Sequence, residues 1–432
     1  MEKVNIFWFR RDLRTDDNHG LFQALNADLP VVPVFIFDPA ILSQFPNPKD
    51  PRLTFIHRCL TDLNHEFEKH GSSLQVYFSS PEVVFRQLSG KYSVDCVFTN
   101  TDYEPSAIER DLRVEKLLNS LGIGFQAFKD QVVFHQNEVI KVNGSPYTVF
   151  SPYSKKWKEK LAEQEIQIFE SGKLLSQLKH ISPGYFPELA EIGYQTQNIR
   201  FPGKNFDQFL IENYAQNRDF PAENGTSRLG IHLRFGTISI RKLTQFAKIH
   251  SEVFLNELIW RNFYMDILWH FPQVVTRSFK SAYNFIPWLN NEADFDRWCN
   301  GQTGYPLVDA GMRELNQTGY MHNRVRMVVA SFLTKHLLID WRWGETYFAS
   351  KLLDYELASN NGGWQWASGS GCDAAPYFRI FNPELQTKKF DHELKYVRKW
   401  VPEFESSAYP KPIVDHAFAR KRAIETYRKA LK

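Results

Sequence analysis

The stretch VNIFWF, residues 4–9, is the first of five short apolar runs that decide the fold. The other four occupy residues 31–37, 74–79, 94–100 and 125–130. Helical patterns separate them around residues 53–69, 81–88 and 106–121. Runs that are apolar throughout are typical of a parallel sheet that helices cover on both faces. The pattern predicts an α/β domain with a Rossmann-like sheet over residues 1–131, although no GxGxxG fingerprint follows any strand.

The pattern changes after residue 131. Residues 132–204 are irregular and broken by prolines, with a short helical pattern near residues 154–164, which is typical of a connector. From residue 205 to 432, helical periodicity dominates and strand patterns nearly vanish. The clearest helical patterns there cover residues 238–249, 252–270, 320–338 and 345–353. We therefore expect an α/β domain, an interdomain connector over residues 132–204 and an all-helical domain over residues 205–432.

The composition excludes several classes of protein. Of the 432 residues, 43% are hydrophobic and 23% are charged, so the chain can bury a large core and is not disordered. The net charge of +3 is too small to prove nucleic-acid binding, but it leaves room for a local basic patch. The apolar runs are far shorter than the ~18 residues that span a membrane. The first run is also too short for a signal peptide, so we expect a cytoplasmic protein.

The four cysteines stand singly in the sequence, with no CxxC pair among them. This spacing argues against a zinc site and against a disulfide framework. We therefore expect no metal and a reducing compartment.

Aromatic residues make up 15% of the chain, and the tryptophans are unevenly spread. Nine of the eleven lie between Trp260 and Trp400. Composition alone favours tryptophan as filler of a helical core. A ring-lined site for a flat ligand and a chain of redox-active indoles are the functional alternatives.

The segment GTSRLG, residues 225–230, combines glycines, two hydroxyls and an arginine. Backbone N–H groups and hydroxyls in such a turn can bind phosphate, and Arg228 adds a charged donor. An ordinary helix start with Thr226 or Ser227 as the N-cap explains the same residues. The segment taken alone favours the cap.

Two predicted helices each place polar and aromatic residues on one face. The first face carries Glu257, Trp260, Arg261 and Tyr264, and the second carries Tyr320, Asn323, Arg324 and Met327. A charged pair beside two rings suits the wall of a polar cavity. The second helix also carries Arg326 and is apolar enough to be buried. Because a buried arginine needs a partner, Asp354 and Glu356 are candidates.

The segment NNGGWQW, residues 360–366, fits no regular core pattern, and its glycines permit close backbone approach to a ligand. With this segment and residues 373–383, the sequence resembles the DNA photolyase/cryptochrome family, and within it the class I cyclobutane pyrimidine dimer photolyases. Further matching blocks are WFRRDLR (8–14), RDFP (218–221), NELIWR (256–261), TGYPLVD (303–309) and MHNRVRM (321–327). The resemblance covers essentially the whole chain. It implies an antenna-type α/β domain and a helical domain that binds FAD and DNA.

The resemblance implies, position by position, a set of residues that bind FAD. They are Tyr214, Thr226, Ser227, Arg228, Leu229, Gly230, Phe254, Glu257, Arg261, Asn323, Arg326, Asp354, Glu356 and Asn360. In this set Asp354 pairs with Arg326, and Asn360 faces N5 of the flavin. The chain departs from the family pattern at three positions, since members often have Trp at the positions of Phe254 and Tyr320 and Asp at the position of Glu356.

The resemblance also implies an activity, which is light-driven repair of pyrimidine dimers by electron transfer from reduced FAD. A dimer inside a duplex must be flipped out to reach the flavin, and photolyases are among the base-flipping enzymes. The residues implied to contact the dimer are Glu257, Asn323, Met327, Trp260 and Trp366. Those implied to relay electrons to the flavin are Trp364, Trp341 and Trp288. Those implied to bind DNA are Arg218, Trp260, Arg324, Arg379 and Gln386.

Three other functions remain as alternatives. A cryptochrome-type blue-light photoreceptor resembles the chain at residues 303–314, but plant-type members carry Asp at the position of Asn360. A (6-4) photolyase would have a second histidine in residues 321–327, where His322 stands alone. A non-enzymatic flavin- or nucleic-acid-binding protein has no use for both the dimer wall and the relay.

The sequence does not identify a second, antenna chromophore: a folate type, a deazaflavin type and no pigment at all are the three alternatives. Glu104 lies where folate-type members contact their pterin, although a lone glutamate is more often a solvated charge. The expected partner is UV-damaged DNA containing pyrimidine dimers. We expect that the protein does not bind a membrane, needs no obligate protein partner and is a monomer.

Overall fold

A computed structural model describes residues 1–432 and divides them into two compact units. The α/β unit comprises residues 1–135, 161–205 and 228–246, and the helical unit comprises residues 136–160, 206–227 and 247–432. The residues of the predicted connector are therefore divided between the two units: residues 136–160 belong to the helical unit and residues 161–205 to the α/β unit.

A five-stranded parallel sheet forms the centre of the α/β unit. Its strands are β1 (Lys3–Phe9), β2 (Val31–Phe37), β3 (Gln75–Phe78), β4 (Ser93–Asn100) and β5 (Gly124–Phe128), in the order β3-β2-β1-β4-β5. The central strand β1 is buried from Val4 to Phe9, which explains its unbroken apolar sequence. The predicted α/β fold and its five strands are confirmed.

Helices follow the strands of the α/β unit. They are α1 (His19–Leu25), α2 (Pro39–Leu42), α3 (Pro51–Glu68), α4 (Pro81–Lys91) and α5 (Pro105–Ser120). Four of these helices begin at a proline, whose fixed φ suits the first helical turn and whose missing N–H is not needed there.

The rest of the chain is helical. The helices are α6 (Phe150–Glu163), α7 (Gln208–Glu212), α8 (Tyr214–Asn217), α9 (Gly230–Arg234), α10 (Ile240–His250), α11 (Glu252–His270), α12 (Glu292–Cys299), α13 (Pro306–Thr318), α14 (Asn323–Ser331), α15 (Trp341–Lys351), α16 (Leu357–Ser368), α17 (Pro383–Phe390), α18 (Lys395–Trp400) and α19 (His416–Ala430). Short 3-10 helices cover Ser171–Gln177, Leu189–Ile192, Pro272–Val275 and Ser281–Phe285, and a π-helix covers Phe332–His336. None of the helices is both long and apolar enough to cross a lipid bilayer.

One predicted helix, residues 320–338, starts later than its periodicity indicated. Gly319 ends α13 with a φ of +67°, and His322 caps α14 by accepting a hydrogen bond from the N–H of Arg324. Tyr320 therefore lies in the connection between two helices and not on the face of Asn323. After Ser331 the chain continues as the π-helix Phe332–His336.

The segment 360–366 is helical despite its two glycines, since it lies inside α16. The Glu356 carboxylate caps this helix by accepting hydrogen bonds from the N–H groups of Ala358 and Ser359. A side chain on Gly362 would overlap the ring of Tyr264, so glycine lets α16 approach α11 closely.

Candidate functional site

The helical unit contains an open cavity of about 410 Å³. Twelve of its lining residues are site residues that the sequence predicted: Arg218, Glu257, Trp260, Arg261, Asn323, Arg326, Met327, Asp354, Glu356, Asn360, Trp364 and Trp366. The lining also contains Tyr264, Ala330, Phe348, Leu352, Tyr355, Ser359 and Gly363. Four separate stretches of chain thus converge on a single space.

Helix α11 supplies one wall of the cavity. Ser251 caps the helix, and the spacing of Glu257, Trp260 and Arg261 then turns all three toward the cavity. The carboxylate of Glu257 accepts a hydrogen bond from Nη1 of Arg218 at 2.5 Å. Arg218, which the sequence placed on DNA phosphates, therefore lines the cavity and pairs with a predicted dimer contact.

Helix α14 supplies a second wall, with Asn323, Arg326 and Met327 in the lining. The expected ion pair between Arg326 and Asp354 is present, with Nη2 2.9 Å and 3.2 Å from the two carboxylate oxygens. This pairing raises the pKa of Arg326 despite its burial. Arg326 is therefore a fixed cation beside the cavity.

Arg324, predicted to bind DNA, lies outside the cavity lining. Its Nη2 is 2.5 Å from Oδ1 of Asp219, and its guanidinium lies over the ring of Phe390 at 4.5 Å. Asp219 has no role predicted from the sequence, although it stands inside the matching block RDFP. The structure shows that it holds a predicted DNA-binding arginine.

Asn360 projects into the cavity from α16, and its amide is oriented by a residue that sequence analysis did not find. Nδ2 of Asn360 donates to Oε1 of Glu345 at 2.8 Å and to the Glu345 carbonyl at 3.1 Å. Burial raises the pKa of Glu345, while the hydrogen bond from Asn360 lowers it. No local sequence signal joins these residues, because they lie on different helices.

The three predicted relay tryptophans belong to one hydrophobic cluster. Trp364 and Trp341 are buried at 2% and 1% exposure, and the partly buried Trp288 packs against the same cluster. Glycine at position 344 makes room for Trp364, since a side chain there would overlap the indole. Trp364 also lines the cavity, so the cluster that contains these tryptophans reaches the cavity wall.

The remaining predicted FAD residues lie outside the cavity lining. Tyr214 contacts Phe254 edge to face at 5.1 Å, and burial raises the pKa of Tyr214. The hydroxyl of Thr226 is 2.9 Å from that of Tyr320. These contacts fall within the helical unit, as does Ser227.

The expectation that Thr226 or Ser227 caps a helix is wrong. The following helix, α9, begins at Gly230 with Leu229 at the N-cap position, and no side chain caps it. Arg228, just before this N-cap, has a φ of +52°, in the left-handed region that a non-glycine residue seldom adopts. Arg228, Leu229 and Gly230 belong to the α/β unit.

Two further predicted DNA contacts lie beyond α16. Arg379 is exposed, and its guanidinium lies 5.8 Å from the ring centre of Phe381. Gln386 is partly exposed on α17. Both side chains can therefore reach a ligand at the surface.

Glu104 in the α/β unit is not a solvated charge. Its carboxylate accepts hydrogen bonds from Arg11 at 2.8 Å and from Arg234 at 2.5 Å. The side chain is 17% exposed. Two arginines thus compensate a carboxylate that the sequence left unassigned.

The cavity suits FAD by the chemistry of its lining. Tryptophan rings and Met327 offer flat apolar contact, Asn360 offers a neutral amide, and Arg326 offers a fixed positive charge. Ligand sites of this kind combine apolar walls with a few convergent polar groups.

Comparisons with known proteins find one family. Residues 254–408 match the FAD binding domain of DNA photolyase, and residues 5–170 match the DNA photolyase family. Deoxyribodipyrimidine photo-lyase of Synechococcus sp. is 36% identical, with 96% of this chain and 95% of that protein covered. The Escherichia coli enzyme of that name is 36% identical, with 99% of both chains covered.

Solved structures show the same fold. A bacterial class III photolyase from Agrobacterium tumefaciens is 32% identical with a TM-score of 0.85, covering 100% of this chain and 98% of its own. An archaeal photolyase from Sulfolobus tokodaii, crystallised with two FAD molecules, is 34% identical with a TM-score of 0.81, covering 99% and 100%. A cryptochrome from Synechocystis sp. is 26% identical with a TM-score of 0.84, covering 99% of both chains.

These findings confirm the predicted fold class, the FAD cofactor and the assignment of the chain as a photolyase-type enzyme. The chain belongs to the DNA photolyase family and carries the FAD-binding domain of that family.

Proposed function

We propose that this protein repairs cyclobutane pyrimidine dimers in DNA under blue light. One observation carries the proposal: a single cavity is lined by residues suited to a flavin and by residues suited to a flipped pyrimidine dimer. Photo-lyases from Synechococcus sp. and Escherichia coli, at 36% identity, support it. Reduced FAD, when bound, supplies an electron that the dimer accepts under light and returns after splitting.

Asn360 and Glu345 form the flavin side of the cavity. Because Nδ2 of Asn360 donates to Glu345, its Oδ1 is the atom left to accept a hydrogen bond from an N–H of the ligand. A neutral amide cannot give up a proton as an aspartic acid would. Asn360 therefore suits a flavin that stays fully reduced between repair events.

The positive charge of Arg326, fixed by Asp354, favours an anionic flavin in the cavity. We assign the rest of the cofactor contacts to Arg261, Glu356, Asn323, Tyr214, Phe254 and the turn from Thr226 to Gly230. Glu356 serves through its place at the start of α16, because its carboxylate is taken up by the helix cap.

Trp260, Trp366 and Met327 form the apolar wall for the flipped dimer. Glu257 and Asn323 would hydrogen-bond the pyrimidine edges. Arg218 holds the Glu257 carboxylate in place, and the carboxylate oxygens can accept a hydrogen bond from an N–H of a base. A damaged pair is poorly stacked, which lowers the cost of flipping.

Arginines around the cavity would hold the DNA backbone. We assign this role to Arg218, Arg324 and Arg379, with Gln386 beside them. Phosphate contacts give affinity without sequence preference, as repair of lesions in any sequence requires. Local arginines also explain how a net charge of only +3 is compatible with DNA binding.

Trp364, Trp341 and Trp288 would return electrons to oxidised flavin from the protein surface. In this arrangement the helical unit is the catalytic domain and the α/β unit is an antenna-type domain. We assign no antenna pigment, and a folate type, a deazaflavin type and no pigment stay as the alternatives.

A cryptochrome-type photoreceptor is the second candidate, because the Synechocystis cryptochrome shares the fold with a TM-score of 0.84. The two functions differ in a direct assay. FAD-loaded, fully reduced protein is illuminated with blue light in the presence of duplexes that carry either a cyclobutane dimer or a (6-4) photoproduct. We expect restoration of the cyclobutane dimer alone. Failure to restore either lesion would favour the photoreceptor.

A further inference from the structure

We infer that α6 supports the wall of the cavity that contacts the dimer, and that Phe150 and Asp373 are positioning residues that hold Trp260 in this wall. This inference rests on the proposed function, in which Trp260 contacts the flipped dimer. The sequence placed α6 in a connector, yet residues 150–160 belong to the helical unit.

The ring of Phe150 lies flat against the indole of Trp260. The ring centroids are 3.6 Å apart, and the planes are 4° from parallel. Trp260 lines the cavity, but Phe150 does not. Phe150 therefore covers the indole from outside the cavity and leaves its cavity side to a ligand.

Two hydrogen bonds fix α6 along α11. The hydroxyl of Tyr153 donates to Oδ2 of Asp266 at 2.6 Å, and the indole N–H of Trp157 donates to Oδ1 of Asn262 at 3.2 Å. Tyr153 and Trp157 follow Phe150 at spacings of three and seven residues, so all three share one helix face. The polar pairs thus set the register that brings Phe150 onto Trp260.

Asp373 holds the start of α6. Its Oδ2 accepts a hydrogen bond from the backbone N–H of Phe150 at 3.0 Å. This N–H is one of the first-turn donors that have no partner within their own helix. Asp373 follows α16, the helix that bears Trp366. The contact therefore links α6, which supports Trp260, to the segment that follows Trp366.

A preset indole helps binding because the dimer need not order it. Aromatic stacking and the ordering of one side chain are each worth a factor of about three to ten in an equilibrium constant. The effect falls on lesion binding, since undamaged DNA does not reach the wall.

The test uses the FAD-loaded, reduced full chain with Phe150→Leu. We expect the Kd for a duplex with one thymine dimer to rise about three- to tenfold, with FAD content and the Kd for undamaged duplex unchanged. The repair yield per photon at saturating DNA should also be unchanged. Phe150→Tyr should restore lesion affinity, and Phe285→Leu, which alters a ring that is 77% exposed, should change nothing.

Trp260→Ala separates this inference from the function on which it rests. Wild-type lesion affinity in Trp260→Ala would overturn the role of Trp260 itself. Weakened lesion binding in Trp260→Ala with none in Phe150→Leu would overturn only the positioning role. Adding Phe150→Leu to Trp260→Ala should weaken binding no further, and an additive loss would contradict the inference.

Asp373→Ala provides a second route, because it keeps both rings and removes only the acceptor. We expect a smaller loss of lesion affinity in the same direction. A loss that is equal for damaged and undamaged duplexes would overturn the inference, even if Phe150→Leu failed to retain FAD.

Discussion

Charged residues are used differently in the two units. In the α/β unit, Asp130 is buried between Arg14 and Arg241, at 2.8 Å and 2.7 Å, so the charges compensate one another within the protein. In the helical unit, Arg326 pairs with Asp354 and Glu257 pairs with Arg218. These pairs, however, line a cavity of about 410 Å³. The same residue types therefore stabilise one unit and prepare a ligand site in the other.

Asp130→Ala should give the largest effect, which is a loss of unfolding free energy caused by the disrupted charge network of the α/β unit. Removing one partner of a buried ion pair leaves an uncompensated charge and costs about 3–5 kcal/mol. Arg14 and Arg241 hold the pKa of Asp130 low against the effect of burial, as expected for such a pair. Urea unfolding should show the loss, whereas repair by the folded, reduced protein should be unchanged.

The matched control is Asp95→Ala, which removes an exposed carboxylate in the same unit. Its unfolding free energy should change by less than about 1 kcal/mol. Equal losses in the two variants would contradict the structural role of the buried network.

Trp341→Phe tests the relay in the helical unit. Phenylalanine fills most of the buried space but is far harder to oxidise, so photoreduction of oxidised flavin should be lost. Repair by protein reduced chemically in the dark should remain. Absorbance of the flavin under blue light measures the first, and a dimer-splitting assay measures the second. Trp343→Phe, on the same helix, is the control and should retain both activities.

Glu257→Ala tests the cavity carboxylate. Loss of a hydrogen bond to a charged group is worth about 1.5–3 kcal/mol, or roughly 10–100-fold in a rate or binding constant. We expect the repair yield per photon to fall while FAD stays bound. Glu252→Ala, which removes an exposed acid from the first turn of α11, should leave the yield unchanged. Wild-type repair by Glu257→Ala would exclude the assigned role.

His336 is a buried titratable group of the helical unit that makes the stability of the fold depend on pH. Burial, with His416 and Arg422 nearby, lowers the pKa of His336 to about 3. The pKa of a histidine in the unfolded chain is about 6.5, so above that pH His336 is neutral in both states and does not change the free energy of unfolding. As the pH falls from 6.5 toward 3, only the unfolded chain binds the proton, and the folded state loses stability. The free energy of unfolding should fall by about 1.4 kcal/mol per pH unit below pH 6.5.

His336→Gln should flatten this acid dependence in urea unfolding at pH 7 and pH 5, and His392→Gln, an exposed histidine, should not. An unchanged slope in His336→Gln would assign the acid sensitivity to other groups.

The sequence predicted more of the α/β unit than of the helical unit. Apolar strands and their helices leave a periodic signal that is local in the chain, so all five strands were found. The late start of α14 depends on Gly319 and His322, which lie inside an unbroken helical pattern. Local periodicity cannot place such a boundary.

The candidate site divides in the same way. Glu257, Trp260 and Arg261 share one helix face, so their convergence on the cavity could be predicted. The pairing of Asn360 with Glu345 and the stacking of Phe150 on Trp260 join distant stretches of chain, and no spacing in the sequence indicates them. Tertiary packing alone brings these residues together.

The most direct test is a crystal structure of the FAD-loaded protein with a duplex that contains one thymine dimer. We predict the isoalloxazine ring in the cavity beside Asn360 and the flipped dimer against Trp260 and Trp366. A flavin bound elsewhere, or a cavity filled by the protein's own side chains with the dimer still stacked in the duplex, would contradict the account.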